Sequence, residues 1–284
     1  MKIALSAESS IDLPKELLSK YDISTVPFTV VLGEETGLDG VLTVDDLYSF
    51  TDRTGKLAKT SAVNTYQYEE HFRKILQTSD CLIHFSISSE LSSAYQNAVV
   101  AANEDEFKGK VFVIDTKNIS TGIALLAIYA RKLVDSGLPP EEIVKKVESR
   151  SPFLRVTSCL EAVEYLYKGG RCSLLSLLGA NLLRIRPEIG VRDGKMVAMR
   201  RYRGKMVKAV ADFIEDVLNH DFTPDKFLAF VTYSTSPQGL TEQVRERLLL
   251  AGFQNVIITR TGCTIGCYTG PSCLGLSFFN DGPH

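Results

Sequence analysis

The chain has no tryptophan, and only four histidines, four methionines and six cysteines in 284 residues. Each scarcity excludes something. Four dispersed histidines are few for a metalloenzyme or a Ser-His-Asp hydrolase, and nothing in the sequence obviously performs acid–base or nucleophilic chemistry. His84 lies inside an apolar run, where a hydrogen-bonded core imidazole is the ordinary occupant, and His71 and His220 fall at exposed positions of expected helices. Cys263, Cys267 and Cys273 are spaced by four and six, with no Cys-x-x-Cys pair and no nearby histidine except the terminal His284. That pattern reads as reduced structural thiols rather than metal ligands, as do Cys81 in an apolar strand and Cys159 at the start of a helical segment. No apolar run approaches the ~20 residues that span a bilayer. The N-terminal strand turns polar at Ser6, too soon for a signal peptide. There is no phosphate-binding G-x-x-x-x-G-K-[ST], no G-x-G-x-x-G after the first strand, no H-E-x-x-H and no G-x-S-x-G. A net charge of −2 gives no general drive toward nucleic acid or a membrane surface. The expectation is a cytoplasmic protein without metal, cofactor or stable membrane insertion.

Hydroxyls, by contrast, are concentrated. Residues 86–93 read Ser-Ile-Ser-Ser-Glu-Leu-Ser-Ser, between the apolar strand 81–85 and a helix from about Ala94. The first turn of a helix leaves backbone N–H groups without partners, and its dipole favours negative charge. Serines there either cap the helix or join those N–H groups around an oxyanion. Three more clusters follow or neighbour expected strands: Ser6 to Ser10, Thr60-Ser61, and Thr116 with Ser120 and Thr121. Alternation of strand and helix through residue 149 predicts a mainly parallel, Rossmann-like sheet, whose ligands collect beyond the carboxyl ends of the strands.

Several local expectations accompany that pattern. Asp12 is placed to cap a helix carrying Pro14 in its first turn, and residues 24–32 read as one strand interrupted by Pro27. Thr43 to Asp46 has the form of a capping box, and Asn64 is placed to cap a helix whose Tyr68, Phe72, Ile75 and Leu76 share a face. Composition shifts after Pro152, which predicts two α/β domains, residues 1–152 and 153–284. In the second, residues 160–167 read as a helix and Asp193-Gly194 as a hairpin turn. Six leucines within residues 174–183 leave that helix almost no polar face, so it is buried core or the wall of an apolar cavity. Arg184, Arg186, Arg192, Lys195, Arg200, Arg201, Arg203, Lys205 and Lys208 make a basic stretch, either a solvated hairpin face or a dock for an anionic partner.

In order and spacing, one set of motifs resembles the DegV family of bacterial fatty-acid-binding proteins along essentially the whole chain. They are Lys2-Ile3-Ala4 through Glu8-Ser9-Ser10-Ile11-Asp12-Leu13-Pro14, Thr60-Ser61, Ser88-Ser89-Glu90-Leu91-Ser92 with Tyr95-Gln96, and Asp115 with Ser120 and Gly122. Glu164-Tyr165-Leu166 with Lys168-Gly169-Gly170-Arg171, Arg203-Gly204, and Gly266 with Thr269-Gly270-Pro271 complete the set. The resemblance implies a two-domain α/β carrier that buries one long-chain acyl group in a site between its domains. It implies a carboxylate held on Thr60, Ser61, Ser92 and Ser93, with Ser9, Ser120 and Tyr268 near the site. It also implies presentation of the fatty acid to a separate ATP-dependent kinase subunit, toward which Arg171 and Arg203 would face. The chain departs from the family pattern at Glu8, Ala62-Val63, Ser93-Ala94 and Cys267-Tyr268, where Asp, Gln-Pro, Gly-Thr and Thr-His are usual. Read from the residues alone, two alternatives stay open. One is an enzyme for a small carboxylate or phosphate with Glu8 or His84 as base; the other is a regulatory module acting through the basic stretch.

Overall fold

The computed structural model describes residues 1–172, 185–219 and 223–282. The leucine-rich segment 174–183, Arg184, His220 and His284 lie outside the described residues. The first sheet has strands β1 (Ile3–Glu8), β2 (Ile23–Val26), β6 (Cys81–Ser86) and β7 (Val111–Asp115), all parallel, in the order β2-β1-β6-β7. The order reverses between β1 and β6, which opens a crevice at their carboxyl ends. Helices α1 (Lys15–Lys20), α3 (Thr65–Leu76), α4 (Ala94–Ala102), α5 (Thr121–Asp135) and α6 (Pro140–Arg150) connect and cover it.

A second, mixed sheet of six strands runs β10-β9-β8-β13-β11-β12, from β8 (Leu154–Leu160), β9 (Ile185–Arg192), β10 (Lys195–Arg203), β11 (Leu228–Tyr233), β12 (Asn255–Arg260) and β13 (Cys273–Phe279). Its helices are α7 (Val163–Lys168), α8 (Met206–Asn219), α9 (Leu240–Leu250) and α10 (Cys263–Thr269). Asp193-Gly194 makes the β9–β10 turn with both residues at positive φ, as a type I′ hairpin requires. A third, antiparallel sheet joins β3 (Thr29–Leu32), β4 (Glu35–Leu38) and β5 (Lys59–Ser61), and α2 (Val44–Thr54) follows β4.

Helix α5 binds the two larger sheets together. It packs on β1 and β6 on one side and on β8 and β13 on the other, so its apolar residues from Ile123 to Ile128 are all buried. A helix apolar on every side needs such double cover. Gly122 lets it approach, because a Cβ there would lie 2.6 Å from Val156. One apolar cluster therefore runs from Leu5, Phe72 and Phe85 through α5 to Val156, Phe230 and Phe279.

Some local expectations are corrected. Residues 24–32 do not form one strand: Pro27 cannot donate to a ladder, and the chain leaves the parallel sheet at Val26 to start β3 in another sheet. Asp12 does not N-cap α1, whose N-cap is Pro14; it ends the 3-10 turn Ser9–Ile11 at φ 54° with its carboxyl group turned toward α10. Cys159 is inside β8, and the helix expected at 160–167 starts only at Val163, after Glu161 and Ala162 break the ladder. The capping boxes at Thr43/Asp46 and Asn64/Gln67 are both present. All six cysteines are free thiols, five of them buried.

Candidate functional site

The crevice between β1 and β6 is closed from below by a buried polar cluster. Glu8, last residue of β1, is fully buried and accepts from Tyr68 Oη (2.6 Å), Ser86 Oγ (2.7 Å) and the backbone N–H of Ile87 (2.9 Å). His84 Nε2 lies 3.2 Å from the same carboxylate, and its Nδ1 is 2.8 Å from Ser6 Oγ. Burial pushes the Glu8 carboxyl up, but the hydrogen bond and charge of His84, with the Ser86 and Tyr68 hydroxyls, outweigh it and hold it below its ordinary value. His84 is thus a hydrogen-bonded core residue, as expected. His71 is not exposed; its ring is 6.4 Å from that of His84, and burial lowers its pKa to about 3.

Above this floor lies a cavity of about 240 Å³. Its lining carries the hydroxyls of Thr60, Ser61, Ser92 and Ser93, the half-buried Tyr268 and the exposed Arg171. The remaining wall is mostly apolar: Phe28, Ile87, Leu91, Ile119, Met196 and Ile265. Ser92 Oγ accepts from the N–H of Ala94 at 3.2 Å, whereas Ser93, the N-cap of α4, makes no side-chain cap. The serine run of residues 86–93 therefore divides its work. Ser86 holds Glu8, Ser88 donates to Gly194 O at 2.7 Å, and only Ser92 and Ser93 reach the cavity.

Tyr268 comes from α10, a short helix the sequence reading missed. Its hydroxyl is 2.9 Å from Thr60 Oγ1, and the Arg171 guanidinium stands 5.0 Å from its ring centroid. Among the described residues Arg171 bonds only to the carbonyls of Gly169 (2.7 Å) and Leu91 (3.5 Å), so its charge beside the hydroxyls is not neutralised by a carboxylate. Gly169 permits the arrangement, since a Cβ there would meet Tyr268 Cδ1 at 2.5 Å.

Ser9 and Ser120 are placed one step behind the cavity. Ser9 Oγ donates to Asp39 at 2.9 Å, and Ser120 Oγ donates to Asp12 at 2.5 Å. Asp39 also accepts from the N–H groups of Cys263 and Thr264, and Asp12 from that of Gly262, so two buried carboxylates anchor the start of α10. Burial drives the Asp12 carboxyl well above its ordinary value; Ser120 and Gly262 pull it back in part, and Asp39 adds to the rise. Arg203 is exposed at the end of β10, outside the cavity lining. The apolar lining escaped the sequence reading because Phe28, Ile119, Met196 and Ile265 sit on separate elements that only the fold brings together. Ile87 and Leu91, inside the serine run, were its one local signal.

Among the described residues no group of three or more His, Cys, Asp or Glu could hold a metal, and no helix is long and apolar enough to cross a membrane. Comparison with known proteins gives a consistent set of relatives. A DegV domain-containing protein of Clostridium perfringens is 28% identical over 283 residues, covering 99% of both chains. A protein of Thermotoga maritima named as a fatty acid-binding protein is 27% identical, over 97% of this chain and 96% of its own. Among solved structures, a Thermotoga maritima protein described as revealing fatty acid binding function superposes with a TM-score of 0.84 at 26% identity, covering 99% of each chain. The fatty acid kinase B3 protein of Streptococcus pneumoniae, loaded with linoleic acid, shares the fold with a TM-score of 0.85 at 20% identity, over 99% of this chain and 100% of that one. The family model described as "Uncharacterised protein, DegV family" matches residues 2–281, and the chain belongs to the DegV family.

Proposed function

We propose that this protein binds a long-chain fatty acid and presents it to a separate ATP-dependent kinase subunit, without catalysing a reaction itself. The observation that carries the reading is the make-up of the cavity lining: four exposed or half-buried hydroxyls and the exposed Arg171, together with the buried apolar side chains of Phe28, Ile87, Ile119 and Ile265 and the half-buried Leu91 and Met196. A carboxylate at the hydroxyl end receives neutral donors from Thr60, Ser61, Ser92 and Ser93 and the field of Arg171. Each methylene that enters the apolar part gains about 0.8 kcal/mol, so burial of the chain supplies most of the affinity and the hydroxyls set its direction. Tyr268 offers the head end one hydrogen bond and no positive charge at neutral pH. Ser9 and Ser120 act at one remove, through Asp39 and Asp12, by holding α10 against the cavity. Arg203 faces the partner.

In this reading residues 1–152 and 153–284 are two units that close on the ligand, the first supplying the hydroxyls and the second Arg171, Met196, Ile265 and Tyr268. The relatives named as fatty acid-binding proteins support it. The enzyme alternative loses support, because Glu8 and His84 are both fully buried and bonded to each other. Native mass spectrometry of gently purified protein, before and after exposure to oleate, tests the proposal. The expected result is one acyl adduct per chain, weakened by Thr60→Val; no adduct and no uptake of oleate would overturn it.

A further inference from the structure

Beside the acyl cavity lies a larger chamber that the proposed function leaves unused. It is a half-open hollow of about 640 Å³ and shares Thr60, Arg171 and Tyr268 with the first cavity, so the Thr60–Tyr268 hydrogen bond stands at their common wall. Its body is apolar and partly aromatic, from Val31, Phe50, Leu57 and Tyr165. Its charge is one-sided: Lys56, Lys59, Lys168 and Arg171 line it, and no aspartate or glutamate does. In a chain with 34 acidic and 32 basic residues that imbalance is local. Among the described residues no carboxylate pairs with any of the four.

The cations converge from different elements. Lys56 follows Gly55, which ends α2 at φ 69° and turns the chain back; Lys59 opens β5; Lys168 ends α7. Lysines that only keep a surface soluble need share no common hollow. These surround a concavity of the size small ligands occupy, and like charges around low-dielectric walls focus a positive potential into it. A fatty acid does not match this chamber, since one carboxylate cannot answer four cations. A phosphate-rich head does: lysine binds phosphate as a point charge, and arginine through its fork. Phe50 and Tyr165 would then meet a planar or aliphatic body.

We propose that this chamber is a binding site for an organic polyphosphate of nucleotide or phosphopantetheine size, with the phosphates on Lys56, Lys59, Lys168 and Arg171. The site goes beyond acyl binding but shares Thr60 and Arg171 with the proposed head end, so Lys56 and Lys168, which line only the larger hollow, separate the two. Calorimetric titration of ADP, coenzyme A and inorganic pyrophosphate into the full chain, both delipidated and oleate-loaded, tests it. The expected result is saturable binding that weakens with added salt, with ADP or coenzyme A tighter than pyrophosphate; whichever is tighter identifies the body recognised. The double variant Lys56→Glu/Lys168→Glu, both exposed positions, should weaken that binding by roughly tenfold or more while oleate uptake is unchanged. Absence of saturable binding by all three probes would overturn the assignment, as would an affinity untouched by the double reversal. Pyrophosphate binding at least as tightly as both organic probes would overturn the organic body.

Discussion

Glu8 shows how one side chain shapes a site it does not enter. Its carboxylate takes three hydroxyl or backbone donors and the His84 ring, and one of those donors is the N–H of Ile87, a residue of the cavity wall. Glu8→Gln keeps the shape but presents an amide N–H₂ to groups that already donate, so at least one buried donor loses its acceptor. The expected loss is about 1–3 kcal/mol at neutral pH, measured by urea unfolding. The pH dependence has a definite sign. Because the folded-state pKa of Glu8 lies below its ordinary value of 4.5, its contribution is fully present above that value and disappears as pH falls through the depressed one. Asp12 acts oppositely: its raised pKa makes the folded state hold a proton that the unfolded chain has released, so stability falls as pH rises above its ordinary 3.8. Urea midpoints followed below pH 4.5 should therefore decline less steeply in Glu8→Gln than in the parent; parallel curves would contradict the assignment.

At the scale of elements, α7 and α10 meet where the cavity and the larger chamber share a wall. They pack directly, and Gly169, the C-cap of α7, leaves only enough room for the Tyr268 ring. Gly169→Ala puts a methyl group into that ring, so Tyr268 must leave Thr60 and Arg171. Overpacking of this kind costs about 1–3 kcal/mol, and fatty-acid affinity should change with it. Gly170→Ala is the control. Gly170 has φ 69° and nothing within 4 Å of an added Cβ, so it meets only left-handed backbone strain, roughly 1–2 kcal/mol, with affinity unaltered. Equal effects on oleate binding from both variants would show that the Tyr268 position is immaterial. The resemblance placed Tyr268 near the site, but helix α10 itself was not legible in residues 263–269, because seven residues with one aromatic and no charge carry no helical period. The capping boxes were legible, since three-residue spacing of a cap and its partner is local chemistry.

For the whole molecule, the cavity wall combines β5, the loop after β6, β10 and α10, so a bound ligand stabilises parts far apart in the chain. A ligand present at a hundred times its dissociation constant adds about 2.7 kcal/mol. For a chain of this size that corresponds to a rise of roughly 4–5 °C in the unfolding midpoint. Thermal scans of delipidated protein with and without oleate should show it, and an unchanged midpoint at saturating oleate would contradict binding at this cavity. The continuous core from Phe85 through α5 to Phe279 further predicts one transition rather than two.

The parallel α/β character of the first sheet, the two capping boxes, the buried thiols and the family were determined by sequence alone, because each rests on periodicity, local hydrogen bonding or ordered motifs. So was the concentration of hydroxyls after the strands. Which of those hydroxyls face a cavity was decided only by tertiary structure. Ser86, Ser88, Ser9 and Ser120 are turned to Glu8, Gly194, Asp39 and Asp12, while Thr60, Ser61, Ser92 and Ser93 are left at the opening. A hydroxyl has no preference between a protein acceptor and a ligand until the fold supplies one within hydrogen-bond reach. The same holds for the cations. Lys56 and Lys59 are unremarked along the chain and Lys168 is only part of a motif; they line one site only when β5 and the ends of α2 and α7 are brought around a common hollow.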